Sequence, residues 1–162
     1  MAGKDLPSEM LSSEGHVVGY HSGGQSLEIG SIAAVLHLGT LAQAKSRAGK
    51  VITKVTAKQG LCGRLVDTGS NRWQSARLQR FVTKGRDWVV YLNRHEAIDL
   101  SELHDANLKH PHIDDASDYA FRRLVPSARD SLILLNPDLI ISAEVVAPDW
   151  LPSGFANASG HG

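Results

Sequence analysis

Apolar and polar positions along this chain follow two different periods. Ile32 to Leu38 is an unbroken apolar run of strand length, which is typical of a strand buried on both faces. Val51 to Ala57 alternates apolar and polar residues, as expected for a strand with one wetter face. From Arg72 to Lys84 the apolar residues recur at helical spacing, and Gly85 suits the position where a helix ends. The pattern therefore predicts strands and helices in mixed order.

The same criteria place the remaining elements. Thr40 is a good N-cap for a helix over Leu41 to Ala48, and a second short helix fits Asp99 to Asn107. Further strands are predicted over His16 to Ser22, Leu61 to Val66, Trp88 to Leu92, Ser131 to Leu135 and Leu139 to Val146. Many short strands with two or three helices predict an α+β domain built on mixed or antiparallel sheets.

The two ends of the chain differ in composition from its middle. Residues 1–15 are polar and lack periodicity, which predicts a mobile N-terminal arm. Residues 148–162 are rich in Gly, Ser and Ala and are predicted to form a C-terminal tail. Residues 16–147 are then the folded domain, with a long surface loop predicted over Lys109 to Asp118.

Charge and cysteine content narrow the function classes. Seventeen Lys and Arg balance seventeen Asp and Glu, so the chain as a whole offers no electrostatic attraction to nucleic acid or anionic membranes, although a local basic patch stays possible. Cys62 is the single cysteine, which excludes an internal disulfide and a multi-cysteine zinc site. With neither a membrane-length apolar run nor a signal-peptide core at the start, the sequence predicts a cytoplasmic protein that contacts no membrane.

Two apolar runs end in a histidine followed by small residues, and these are the main candidates for chemistry. His21 closes the first run before Ser22 and Gly23, and His37 closes the second shortly before Gly39. Such strand ends place an imidazole at the rim of a sheet beside bare backbone amides, which is how many ligand clefts are built. A hydrogen-bonded structural histidine is the alternative for each.

Two other clusters allow a functional and a structural interpretation. Histidines and aspartates around the 109–118 loop could bind a divalent metal, but their spacing matches no defined site, and a solvated loop is favoured (His104, Asp105, His110, His112, Asp114, Asp115). Arginines beside two aromatic residues could hold a pyrophosphate or a nucleic acid, or could form a charged helix face (Tyr119, Phe121, Arg122, Arg123, Arg129).

The order of these segments resembles the ADP-ribosyltransferase fold of diphtheria-type toxins and poly(ADP-ribose) polymerases, in particular the short domains of bacterial toxins and phage proteins. The resemblance spans about Val17 to Val146. It is carried by four segments: Tyr20-His21-Ser22-Gly23, then His37-Leu38-Gly39-Thr40 with Gln43-Ala44 and Arg47, then Val89 to Asn93 with Glu96, then Asp130 to Ile140.

The resemblance implies two small mixed or antiparallel sheets, flanked by helices, around a central cleft that holds NAD. His21 would bond the adenosine-side ribose, the backbone of Ser22 would bond the nicotinamide amide, and His37 would stack on nicotinamide. The other cofactor-binding positions it implies are Tyr20, Gly23, Gly39, Thr40 and Arg47.

The catalytic carboxylate is the position at which the chain departs from this family. Where the family has a glutamate, this chain has Ser131, immediately preceded by Asp130. A shift of one residue along a strand turns a side chain to the opposite face. Either the strand start is bulged and Asp130 enters the cleft, or Glu96 supplies the carboxylate, or the domain transfers nothing.

The resemblance thus implies an NAD-dependent ADP-ribosyltransferase that cleaves the nicotinamide–ribose bond and modifies a macromolecule, a protein in preference to a nucleic acid. A carboxylate near the ribose would stabilise the positive charge that develops there. A non-catalytic module of the same fold, binding a nucleotide or a protein partner, is the second hypothesis. A small hydrolase using His21 or His37 as general base is the third.

Overall fold

The structure is a computed structural model, and it describes residues 6–23, 36–45, 51–65 and 75–146. Within these ranges the strands are β1 (Val17–Gly23), β2 (Leu36–Leu38), β3 (Val51–Ala57), β4 (Cys62–Arg64), β5 (Trp88–Ala97), β6 (Ala128–Leu134) and β7 (Ile140–Val145). The helices are α1 (Leu41–Lys45), α2 (Ser75–Thr83), α3 (Leu100–Lys109) and α4 (Asp118–Leu124). Short 3₁₀ helices lie at Ser8–Met10, Ile113–Asp115 and Pro137–Leu139.

The strands form two small sheets, so the fold is α+β as the pattern predicts. One sheet has three strands in the order β1-β3-β7, all antiparallel. The other has four strands in the order β2-β6-β5-β4, antiparallel except for the parallel pair β4 and β5. The three-stranded sheet is therefore antiparallel, and the four-stranded sheet is mixed.

The main core lies between the two sheets. Val55 of the three-stranded sheet belongs to the same buried cluster as Leu38, Trp88 and Leu132 of the four-stranded sheet, and Val55 and Leu132 are fully buried. On its other face the four-stranded sheet carries a second cluster that includes Leu78 of α2. Burying apolar area on both faces explains the unbroken apolar runs in β5 and β6.

The N-terminal segment corrects one prediction, because residues 6–15 are not a detached arm. Leu6 and Met10 are buried in the core between the sheets, and Leu11 pairs with Val17 as an isolated bridge. The apolar residues of the segment are too few and too widely spaced to show a period, yet each fills a place in the core. Residues 1–5 lie outside the described part of the chain.

The segment predicted as a long surface loop is tied to the domain by Arg94. This side chain is 1% exposed and donates to the backbone carbonyls of Ile113, Asp114 and Ala116 at 2.7 to 3.4 Å. It also pairs with Asp118 at 3.1 Å. A buried arginine surrounded by acceptors gives this segment a fixed conformation, which includes a 3₁₀ turn.

Several element boundaries also differ from the predicted ones. β5 continues past Asn93, the predicted end, because Asn93 and Arg94 are buried and hydrogen-bonded although they are polar. α2 ends as predicted, with Gly85 at a φ of 72° and its amide bonded to the Val82 carbonyl. The predicted elements over residues 32–35, 46–49 and 72–74, and the tail over 148–162, fall outside the described ranges.

None of the helices in the described ranges is long and apolar enough to cross a membrane.

Candidate functional site

The two sheets meet where β1 passes the end of β2. Tyr20 and Gly39 form an isolated antiparallel bridge there: the Tyr20 amide donates to the Gly39 carbonyl at 2.8 Å, and the Gly39 amide donates to the Tyr20 carbonyl at 2.9 Å. These paired bonds fix the distance between two strands that otherwise belong to different sheets. Both residues are among those predicted to bind the cofactor.

Beyond this bridge no further pair of β1 with β2 forms among the described residues, and the place of the next pair, called the opening below, is the candidate site. In a continued antiparallel ladder the next bonded pair would be Ser22 and His37. Within the described ranges no such pair forms, and β1 and β2 pair along their other edges with β3 and β6. Since backbone groups alternate in direction along a strand, the amide and carbonyl of Ser22 point the same way as those of Tyr20, towards the opening.

The His21 side chain fills the start of the opening. Its register partner on β3 is Thr53, which is fully buried, so His21 lies on the face of β1 that is turned to the other sheet. Its Nδ1 lies 3.2 Å from the backbone carbonyl oxygen of His37. Because a carbonyl can only accept, the ring must carry its proton on Nδ1 for this bond, and the neutral ring then presents Nε2 as an acceptor.

The turn after β2 is held by a reciprocal pair of hydrogen bonds. The Thr40 amide donates to Gln43 Oε1 at 2.8 Å, and the Gln43 amide donates to Thr40 Oγ1 at 3.2 Å, so the predicted N-cap is confirmed as a capping box. A Cβ on Gly39 would lie 2.8 Å from Gln43 Oε1, so a larger residue there would displace the side chain that closes the cap. Thr40 therefore has a structural role here.

His37 projects from the opposite face of the four-stranded sheet to the main core. Its Nδ1 lies 3.3 Å from the hydroxyl of Tyr91, and the two rings meet edge to face at 6.2 Å between centroids. Tyr91 is 5% exposed and stands opposite Ser131 in the sheet. The tyrosine thereby orients the imidazole on this face of the sheet.

Ser131, at the position where the resembled family has its acid, lies on the same face as His37. The register pairs His37 with Ile133, and residues two apart on a strand share a face. Ser131 is 2% exposed, and its hydroxyl accepts a hydrogen bond from Asn93 Nδ2 at 3.1 Å. This face thus carries a neutral polar pair.

Asp130 lies on the other face and is not brought together with the histidines. It is the last residue of β6 in continuous register with β5, opposite Leu92, and the register then shifts between Leu92 and Ala97. Its Oδ1 instead accepts from Arg122 at 2.6 Å and from Arg64 at 3.2 Å. The sequence could not show which face of β6 carries Asp130, because it does not determine the register of β6 with β5.

The other predicted residues are placed only in part. Gly23 ends β1 opposite Val51. Glu96 lies in β5, and its side chain is outside the described part of the structure, as is all of Arg47.

Tyr91 and Asn93 are site residues that the sequence did not single out. Their only signal was the position of two polar-tipped residues, two apart, in the apolar run of β5. Of the described residues, no group of three or more His, Cys, Asp or Glu side chains is arranged to hold a metal ion.

The arrangement places His21 Nε2 and the backbone amide and carbonyl of Ser22 beside the Tyr20–Gly39 bridge, with the His37 imidazole on the outer face of the neighbouring strand β2. Such a set can bind a planar carboxamide or a hydroxylated sugar without carrying a charge of its own. No protein-family model, no curated protein and no solved structure matches this chain.

Proposed function

We propose that this chain is an ADP-ribosyltransferase-like domain that binds NAD in the opening between β1 and β2. The observation that carries the proposal is the single bridge between Tyr20 and Gly39, after which His21 occupies the place of the next strand pair and bonds the His37 carbonyl at 3.2 Å. The resemblance in sequence requires these two histidines at one cleft.

The residues around the opening fit the parts of NAD by their chemistry. The Ser22 amide and carbonyl offer the donor and acceptor that a nicotinamide carboxamide needs, and Nε2 of His21 can accept from a ribose hydroxyl. The His37 imidazole, held by Tyr91, offers a planar face for the nicotinamide ring. Bound NAD would supply an ADP-ribosyl group through cleavage of its nicotinamide–ribose bond.

Transfer to an acceptor depends on a carboxylate, and Glu96 is our candidate for it. Asp130 is engaged in ion pairs with Arg64 and Arg122, on the face of the four-stranded sheet opposite to His37, so we propose Glu96 before it. The acceptor we propose is a protein.

The experiment for the binding step is calorimetric titration of the protein with NAD. His21→Ala should weaken binding by up to about tenfold, since it removes about one hydrogen bond. His104→Ala is the matched control, because His104 is an exposed histidine on α3. If NAD does not bind, or if both variants behave alike, the proposal fails.

The experiment for transfer uses labelled NAD with a cell lysate. We expect label on protein, its loss in Glu96→Gln and its retention in Asp130→Asn. Loss in Asp130→Asn with retention in Glu96→Gln would contradict the assignment of the acid.

A second candidate function is a non-catalytic module of the same fold that binds a nucleotide. It is favoured by the neutral pair of Ser131 and Asn93 on the face where the family has its acid. NAD binding in the calorimeter without transferred label from wild-type protein would select this function.

A further inference from the structure

Two arginines from different elements converge on one carboxylate, away from the opening. Arg64, on the edge strand β4, and Arg122, on α4, both donate through Nη2 to the same oxygen, Oδ1 of Asp130. Their side chains are 42% and 43% exposed, whereas Asp130 is 16% exposed. The Asp130 carboxylate therefore lies beneath the two guanidinium groups and holds their positive charges close together. Both arginines face solvent.

Most donors of these two arginines have no acceptor among the described residues. Arg64 uses one nitrogen, Nη2, for Asp130 and for Asp118 at 3.4 Å, and Arg122 uses one for Asp130. A guanidinium has five N–H donors in a planar fork that matches a phosphate. The pair is thus preorganised to bind phosphate oxygens at little entropic cost.

The exposed face of α4 adds an aromatic ring next to these arginines. Tyr119 is 73% exposed, the largest exposure among the large hydrophobic side chains in the described ranges. Arg123 Cζ lies 5.9 Å from the centre of its ring. Residues 119, 122 and 123 are three and four apart, so the ring and the two arginines share one face of the helix.

We propose that this surface, formed by Arg64, Tyr119, Arg122 and Arg123, binds single-stranded nucleic acid. The guanidinium groups hold phosphates, and the Tyr119 ring stacks on an unpaired base. The exposed ring favours a single strand over a duplex, whose bases are stacked on each other, and over a phosphopeptide, which has no base to stack.

Local charge supports this choice although the chain is neutral overall. The four arginines that take part in these contacts are Arg64, Arg94, Arg122 and Arg123, and the two carboxylates between them are Asp118 and Asp130. The nearest other acids in sequence are Asp67, three residues after Arg64 and outside the described part of the chain, and Asp114 and Asp115, which are exposed before the first turn of α4, while Arg122 and Arg123 lie in its last turn. The proposal does not depend on NAD binding, because Asp130 and His37 lie on opposite faces of the four-stranded sheet and His21 lies in the other sheet.

The test is fluorescence anisotropy with short labelled RNA and DNA strands over a range of salt concentrations. Arg123→Ala should weaken binding roughly tenfold and reduce the slope of log affinity against log salt by about 0.7. Tyr119→Ala should weaken it about fivefold or more, and Tyr119→Phe should not. Replacing both Asp114 and Asp115 by Asn should tighten it.

Control variants separate this surface from other sites and from unfolding. Arg80→Ala removes an exposed arginine from the last turn of α2 and should leave the affinity unchanged. His37→Ala alters the proposed NAD site and should also leave it unchanged. Arg122→Ala also breaks the ion pair with Asp130, so misfolding is a second route by which this variant loses binding. Arg122→Lys keeps a positive charge near Asp130 and should retain most of the binding.

Four outcomes would overturn the proposal. Wild-type protein does not bind the single strands at low salt. Arg80→Ala or His37→Ala weakens binding as much as Arg123→Ala does. A duplex binds as tightly as the single strand while Tyr119→Ala changes nothing. A phosphopeptide binds and the oligonucleotides do not, which would make the surface a phosphoprotein site.

Discussion

At the scale of single residues, the contact between His37 and Tyr91 sets the orientation of the imidazole. The Tyr91 hydroxyl lies 3.3 Å from His37 Nδ1, and Tyr91 is almost fully buried. Tyr91→Phe removes this hydrogen bond while it keeps the ring volume. We expect a loss of about 1 kcal/mol in the free energy of unfolding and a shift of the His37 ring resonances, measured by chemical denaturation and by NMR.

Tyr119→Phe is the control for this prediction. Tyr119 is 73% exposed, so the loss of its hydroxyl should change stability by less than about 0.5 kcal/mol. If Tyr91→Phe leaves both the stability and the His37 resonances as they are in wild-type protein, the imidazole is positioned by its other contacts.

The surroundings of Asp130 and Ser131 are also determined at the scale of single residues. Asp130 and Ser131 are neighbours in sequence, yet one lies with Arg64 and Arg122 and the other with Asn93. The reason is the period of two along a strand, which sends adjacent side chains to opposite faces. Asp130 and the family position at Ser131 therefore have different neighbours although they are adjacent in sequence.

At the scale of elements, the N-terminal segment behaves as part of the core. Met10 is 2% exposed and packs between the sheets, and its Cε would lie 3.2 Å from a Cβ placed on Gly19. Met10→Ala should lower the free energy of unfolding by about 2 to 5 kcal/mol, since it leaves a cavity in a packed core. Urea denaturation followed by circular dichroism measures this change.

Ser8→Ala is the matched variant in the same 3₁₀ helix. Ser8 is exposed, so its replacement should stay within about 0.5 kcal/mol of wild-type protein. Equal effects of the two substitutions would mean that the segment leaves the core in solution.

At the scale of the whole molecule, the two sheets share one core and should unfold together. The same buried cluster includes Val55 from one sheet and Leu132 from the other. Leu132→Ala should lower stability by about 2 to 5 kcal/mol while far-UV circular dichroism and tryptophan emission keep coincident midpoints. Separate midpoints would show that each sheet unfolds as its own unit.

Much of the fold follows from the sequence because local patterns determine it. The alternation over Val51–Ala57 predicted the bounds of β3 correctly. Thr40 caps the start of α1, and Gly85 follows the end of α2, as predicted. The bounds failed at Asn93, because a polar residue inside a strand looks like an end when its buried partner, Ser131, is far away in sequence.

The sequence by itself placed a histidine at the end of each of two apolar runs and so named His21 and His37, whereas the structure places both inside their strands. Only the tertiary structure decided that they meet, since their contact depends on a bridge between Tyr20 and Gly39 that joins two sheets. It also decided that Asp130 faces Arg64 and Arg122, because the pairing of β6 with β5 fixes a register that no local pattern encodes. Periodicity specifies elements, whereas register and packing between elements assemble a site.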